Sequence, residues 1–152
     1  MKKLTVGIIT SRGGHLYQVV RLKRWWSQFN RFFVTFPGED TSSLLSKERV
    51  YFAHYPESRN VINAIKNLFL ARHILKKEQP DVLISCGAGI APPFFLLGKL
   101  FGSRLIFIEP YDFIKNPSLS AKLVESFVDL LLVQHEGLVN NYKRAVYKGS
   151  LF

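Results

Sequence analysis

Val82-Leu83-Ile84-Ser85 and Leu105-Ile106-Phe107-Ile108-Glu109 are apolar without alternation. Strands built from such runs need cover on both faces, which is the condition of a parallel sheet held between two layers of helices. Runs of the same kind recur outward from these two. Strands are expected over Leu4–Thr10, Phe32–Phe36, Val50–Ala53, Asp81–Ser85, Arg104–Glu109 and Leu130–Gln134, and helices over Gly14–Gln28, Asn60–Lys77, Pro92–Phe101 and Ser118–Phe127. This alternation predicts an α/β fold, a Rossmann-like doubly wound parallel sheet. With 152 residues, 47% of them hydrophobic, and no visible repeat, residues 1–152 read as one domain around one sheet.

Composition narrows the function classes. Cys86 is the sole cysteine, so there is no internal disulfide or multi-cysteine metal site; no metal and no cofactor is expected, and a reducing cytoplasm fits. No uninterrupted apolar run reaches the ~18 residues of a spanning helix, and Met1-Lys2-Lys3-Leu4 opens too short a run for a signal peptide. The formal charge is +10, and no acidic side chain precedes Glu39, whereas Arg12, Arg21, Lys23, Arg24 and Arg31 do. That asymmetry favours a polyanionic partner: nucleic acid, a phosphorylated small molecule or an anionic membrane surface. A solvated basic face gives the same count. Nucleic acid is disfavoured, because the later basic residues interleave with aliphatic ones on a helix and no nucleic-acid motif is present.

Ligands of doubly wound sheets sit beyond the carboxyl ends of the strands, and the most unusual segments fall there. Ser11-Arg12-Gly13-Gly14-His15 joins the first strand to a helix. Its glycines let backbone N–H groups and the positive helix end approach an anion, and His15 adds a side chain that titrates near neutrality. Ser85-Cys86-Gly87-Ala88-Gly89 leads through Pro92 into another helix, and Glu109 closes a strand before Pro110. Plain turns and a helix-capping role for Glu109 remain open. In the helix Asn60–Lys77, Val61, Ala64, Ile65, Leu68, Ala71 and Leu75 make a core stripe. Ile62, Phe69 and Leu70 lie off it among Lys66, Arg72, Lys76 and Lys77, the pattern of a helix lying on an anionic bilayer. A protein interface would show the same pattern. Trp25, Phe29, Phe32 and Phe33 either extend that patch or fill the core.

Gly13-Gly14-His15, then Gln79-Pro80-Asp81-Val82-Leu83-Ile84-Ser85 leading to Gly87-Ala88-Gly89, then Leu105 to Glu109, Asp129 to Gln134 and the closing Tyr147-Lys148-Gly149-Ser150-Leu151 resemble bacterial capsular and exopolysaccharide biosynthesis proteins. Those are related to the acceptor-side subunit of the split N-acetylglucosaminyltransferase of N-glycan assembly, and more distantly to the N-terminal half of the peptidoglycan lipid-linked glycosyltransferase. The likeness spans nearly the whole chain. It implies the acceptor-side half of a GT-B enzyme, with UDP-sugar held by a separate donor-binding partner and a lipid-diphosphate-linked saccharide as acceptor. It places the protein in the cytoplasm, peripherally on the inner face of the cell membrane. Against the eukaryotic subunit's N-terminal anchor, only peripheral attachment is expected here, and Ser11-Arg12 replaces the more glycine-rich loop of the peptidoglycan enzyme.

Sugar transfer needs an acceptor hydroxyl aligned with the anomeric carbon, a base, and cations for diphosphates. His15 is the candidate base, with Glu109 orienting it or binding acceptor hydroxyls. Ser11, Arg12, Gly13, Gly14, Gly87, Ala88 and Gly89 are the candidate acceptor and phosphate contacts. The apolar, aromatic end at Tyr147, Gly149, Leu151 and Phe152 is expected to dock on the partner. Two rivals stand beside this. Gly87-x-Gly89 with Glu109 about twenty residues on imitates the dinucleotide fingerprint of a redox enzyme, although Pro92 falls where close packing wants a small residue. A non-catalytic scaffold that anchors and activates a transferase is the other.

Overall fold

The computed structural model describes residues 3–56 and 60–152. Within them, seven strands, β1 (Thr5–Ile9), β2 (Asn30–Thr35), β3 (Val50–Phe52), β4 (Val82–Cys86), β5 (Arg104–Ile108), β6 (Leu130–Val133) and β7 (Ala145–Tyr147), form one sheet in the order β3-β2-β1-β4-β5-β6-β7. Every neighbouring pair is parallel. The helices are α1 (Gly14–Arg21), α2 (Lys23–Trp26), α3 (Glu39–Leu44), α4 (Val61–Glu78), α5 (Ala91–Leu100) and α6 (Leu119–Val124). The doubly wound sheet expected from the unbroken apolar runs is the one observed.

Both faces are covered as those runs require. Phe32, Leu83, Phe94, Phe95 and Phe107 pack on the side of α4, α5 and α6, and Ile8, Leu16, Val19, Trp26 and Phe33 on the side of α1 and α2. Register is pinned at the strand entrances by two aspartates. Asp81 Oδ2 accepts from Thr5 N at 2.7 Å and Asp129 Oδ2 accepts from Leu105 N at 2.8 Å, so each satisfies a strand-end donor that no neighbouring strand reaches.

The helix expected over Gly14–Gln28 breaks at Leu22, whose N–H bonds Val19 O in a tightened turn; α1 ends there and the short α2 turns Trp26 inward. Phe32 and Phe33 are fully buried, and Trp25 packs edge-on to Phe29 at 5.2 Å, so these aromatics fill the core. The stripe assigned to α4 is corrected more deeply. Val61, Ala64, Ile65 and Leu68 are exposed, and the inward face carries Asn63, Asn67, Ala71, Ile74 and Leu75. The two asparagines are buried because they close the loop before the helix: Asn67 Oδ1 accepts from His54 N at 2.8 Å and its Nδ2 donates to His54 O at 3.0 Å, while Asn63 Nδ2 donates to Pro56 O at 3.1 Å. Polar side chains with those bonds complete are stable inside. Leu70 also leaves the expected outer patch and packs against the core.

From β1 the chain moves outward to β2 and β3, then returns through α4 to place β4 on the other side of β1. The order therefore reverses between β1 and β4, and their loops part at that point to leave a crevice.

Candidate functional site

That crevice is where the glycine segments meet. His15 lies in the first turn of α1, and its Nδ1 is 3.0 Å from Ser11 Oγ. Gly87, after β4, has φ +77°, and a Cβ there would lie 3.1 Å from His15 Cε1 and run into the Pro110 ring. Only glycine lets the ends of β1, β4 and β5 converge so closely. Ala88, at φ 94° without being glycine, holds a strained backbone of the kind that functional loops retain. Its carbonyl accepts from Ser120 Oγ at 3.0 Å, which ties this loop to α6. The resulting cleft of ≈ 430 Å³ is lined by His15, Ala88 and Gly89 on one side and by Ser118, Ser120 and Leu123 on the other. Burial pushes the His15 imidazole below its ordinary 6.5, against the opposing pull of the Asp112 carboxylate. The ring is neutral near pH 7, so it can accept a proton.

The other expected site residues fall differently. Glu109 is 0% exposed and does not line the cleft. Its Oε1 accepts from Ser118 N at 2.6 Å and its Oε2 from Ser118 Oγ at 3.0 Å, while Ser118 Oγ caps α6 by accepting from Ala121 N. The partner of His15 is Ser11, and Glu109 instead staples the loop from Pro110 to the start of α6. Burial raises its pKa despite those bonds. Arg12 and Gly13 also have a partner already: Arg12 Nε donates to Asp40 Oδ1 at 3.1 Å and Gly13 N to Asp40 Oδ2 at 2.8 Å. The Gly13 amide chiefly holds the Asp40 carboxyl below its usual range. In this conformation a carboxylate therefore occupies the anion position at the start of α1, and Gly14 lies exposed beside it. The loop Gly87 to Gly89 opens a helix whose first turn contains Pro92 and Pro93, which remove two N–H donors that a pyrophosphate cradle would use.

Residues that the sequence reading missed stand behind the cleft. Gln18 Oε1 accepts from Gln134 Nε2 at 2.6 Å, from Tyr111 N at 3.0 Å and from Cys86 Sγ at 3.3 Å. Gln134 Oε1 in turn accepts from Leu151 N at 2.9 Å. One buried amide pair thus links α1, β4, the end of β5, β6 and the last residues. The signal was present as a glutamine amid the apolar face of α1 and another closing an apolar strand. Leu151 packs on its own core, and Phe152 stacks on Tyr17 and sits edge-on to Tyr111, at 6.1 and 5.1 Å.

The outer helix layer is apolar well beyond α4. Ile62 and Phe69 are 67% and 68% exposed, joined by Leu96 and Leu100 on α5 and by Leu119 and Leu123 on α6. Lys66, Arg72 and Lys122 are exposed on the same helices. Between α4, α5 and α6 an apolar groove of ≈ 400 Å³ is lined by Ile65, Leu68, Leu96 and Phe127 among others. No helix among the described residues is long and apolar enough to cross a membrane.

The family model described as "Oligosaccharide biosynthesis protein Alg14 like" matches residues 6–151. The UDP-N-acetylglucosamine transferase subunit ALG14 of Debaryomyces hansenii is 28% identical over 179 aligned positions, covering 95% of this chain and 75% of that protein. The Schizosaccharomyces pombe subunit is 39% identical over 46% of this chain and 36% of its own length, and the human subunit 21% over 99% and 84%. Among solved structures, Acinetobacter baumannii MurG superposes with a TM-score of 0.77 at 14% identity, over 95% of this chain and 45% of that one. The S. aureus MnaA–UDP co-structure gives 0.73 at 15%, over 99% and 44%. The chain therefore spans less than half of either, and these likenesses establish the fold, a Rossmann-like half of the GT-B architecture.

Proposed function

The chain belongs to the Alg14-like family of oligosaccharide biosynthesis proteins, and from that premise we propose that it is the acceptor-binding, membrane-associating subunit of a two-chain glycosyltransferase. The reaction moves a hexose from a UDP-sugar, bound by a separate donor-binding subunit, to a lipid-diphosphate-linked saccharide. The setting proposed is capsule or exopolysaccharide synthesis at the inner face of the cell membrane, which rests on the sequence resemblance; the named relatives are eukaryotic. The observation that carries the reading is His15, kept neutral at the mouth of the cleft between β1 and β4.

In the transfer, the bond between the anomeric carbon and the nucleotide diphosphate breaks as the acceptor oxygen bonds that carbon, and the hydroxyl proton must leave. In the tautomer whose Nδ1–H donates to Ser11 Oγ, 3.0 Å away, His15 keeps the lone pair of Nε2 for that proton. Ser120 on the opposite wall donates its hydroxyl proton to Ala88 O and keeps oxygen lone pairs to accept from the acceptor saccharide, whereas the buried Ser118 hydroxyl is already committed to Glu109 and to Ala121 N. A second reading has its own support: because Asp40 engages both Arg12 and the Gly13 amide, the first loop presents little free positive charge, which suits a subunit that anchors and activates while catalysis lies on the partner. The test is reconstitution with a donor-binding subunit. The chain alone should transfer no sugar and the pair should. Robust turnover by the single chain overturns the two-chain reading, and full turnover by a His15→Ala pair leaves only the anchoring role.

A further inference from the structure

The His15 cleft and the apolar groove on the helix layer are neighbours that share Pro92 at the start of α5 and Leu123 on α6 in their linings. The two parts differ in chemistry. At the strand ends the walls carry His15, Ser118 and Ser120. Past Leu123 every lining side chain is apolar, with Ile65 and Leu68 of α4 facing Leu96 of α5. A ligand lying in both parts has a polar head and a hydrocarbon tail in direct succession. The same three helices carry Ile62, Phe69, Leu100 and Leu119 exposed, with Lys66 and Lys122, the residue types by which a helix layer would meet an anionic bilayer.

We propose that this groove seats the first segment of the hydrocarbon chain of the lipid-diphosphate acceptor, so that the subunit reads the lipid itself as well as its saccharide. The inference rests on the acceptor-side reading above. It differs from adsorption to a membrane: outer-face residues would touch the bilayer, while Ile65, Leu68, Leu96 and Leu123 would hold one extracted chain. Burial of that chain adds binding free energy that the diphosphate head alone lacks.

Calorimetric titration of the full chain, without vesicles or detergent, with inorganic pyrophosphate and with farnesyl diphosphate below its micelle concentration tests this. Farnesyl diphosphate should bind at least roughly tenfold more tightly than pyrophosphate. Ile65→Gln and Leu96→Gln, both at half-exposed positions, should remove that preference without changing pyrophosphate binding or the circular dichroism spectrum. Ile62→Gln and Phe69→Gln should keep it. Equal affinity for the two probes overturns the proposal, as does equal loss from groove and outer-face variants, which would mark unspecific adsorption. Loss of the donor-binding subunit from the Ile65→Gln and Leu96→Gln variants, with the probe preference intact, would assign the groove to that subunit and also overturn it. Failure of the reconstituted pair to transfer sugar to any acceptor would strike the transferase reading and not this binding result. Equal transfer to farnesyl-linked and short alkyl-linked acceptors would strike the groove proposal alone.

Discussion

An imidazole acts as a base only while its ring is uncharged, and at His15 burial outweighs the Asp112 carboxylate to favour that form. A lowered pKa keeps the ring neutral as pH falls past 6.5, so the reconstituted pair should hold its rate through neutrality and lose it only below that value. His15→Ala should lower turnover by about 10²-fold and erase the acid limb of the profile, which a purely structural histidine would leave in place. Asp40 poses the complementary question. Its carboxylate bridges Arg12 and the Gly13 amide, where an acceptor phosphate would compete with it. Because its folded pKa is depressed, the bridge is intact at neutral pH and is lost only as pH falls through that lowered value. Asp40→Ala should free both groups and tighten pyrophosphate binding by roughly threefold to tenfold, measured by titration at constant ionic strength. Weaker binding would mean that Asp40 orients Arg12 for the anion.

At the scale of the element, α4 shows what periodicity can and cannot decide. Its span was legible to within a residue at each end, Val61–Glu78 against the expected Asn60–Lys77, because helical spacing is local; the structure moves Asn60 out of the helix to its cap, where Oδ1 accepts from Asn63 N at 2.9 Å. Its inward face was not. Apolar residues surround the helix, and the choice was made by Asn63 and Asn67 closing the 54–56 loop, a long-range contact with no sequence period. The unbroken runs of β4 and β5 gave the sheet directly. By contrast α3 and β7 escaped notice because they span only six and three residues. Glu109 was placed correctly at a strand end, yet its partner Ser118 lies nine residues on, beyond a loop whose path the sequence does not specify. The exposed layer of α4, α5 and α6 then carries its own expectation. Ile62→Gln with Phe69→Gln should cut sedimentation with anionic vesicles by at least roughly fivefold and leave thermal stability unchanged, since both side chains face outward; salt should weaken the residual binding. Unchanged sedimentation would show that this face meets a protein.

At the scale of the whole molecule, a half-cleft needs a second surface, and the rim beside His15 presents one. Phe152 lies against Tyr17 and Tyr111, Tyr111 is 4.7 Å from the His135 ring, and the Arg21 guanidinium sits 5.9 Å from the Phe152 centroid. Clustered aromatics with an arginine are what tight protein interfaces centre on. The segment expected to reach for a partner is thus already folded onto its own rim: Leu151 N donates to Gln134 Oε1 and Arg21 Nε donates to Leu151 O at 3.1 Å. Deleting Gly149 to Phe152 would therefore mix two effects, because it removes interface and also orphans the buried Gln134 carbonyl, at a cost of about 1–3 kcal/mol. Phe152→Ala separates them. The backbone bonds of Leu151 survive, the melting temperature should stay within a few degrees, and affinity for the donor-binding subunit should fall by at least roughly tenfold if the rim is the docking surface. Tyr147 and Lys148, exposed at the end of the edge strand β7, supply the control, since Tyr147→Ala alters the same segment without touching the aromatic cluster. A Phe152→Ala chain that binds the subunit at full strength, alongside a weakened Tyr147→Ala chain, would move the interface from the rim to the β7 edge.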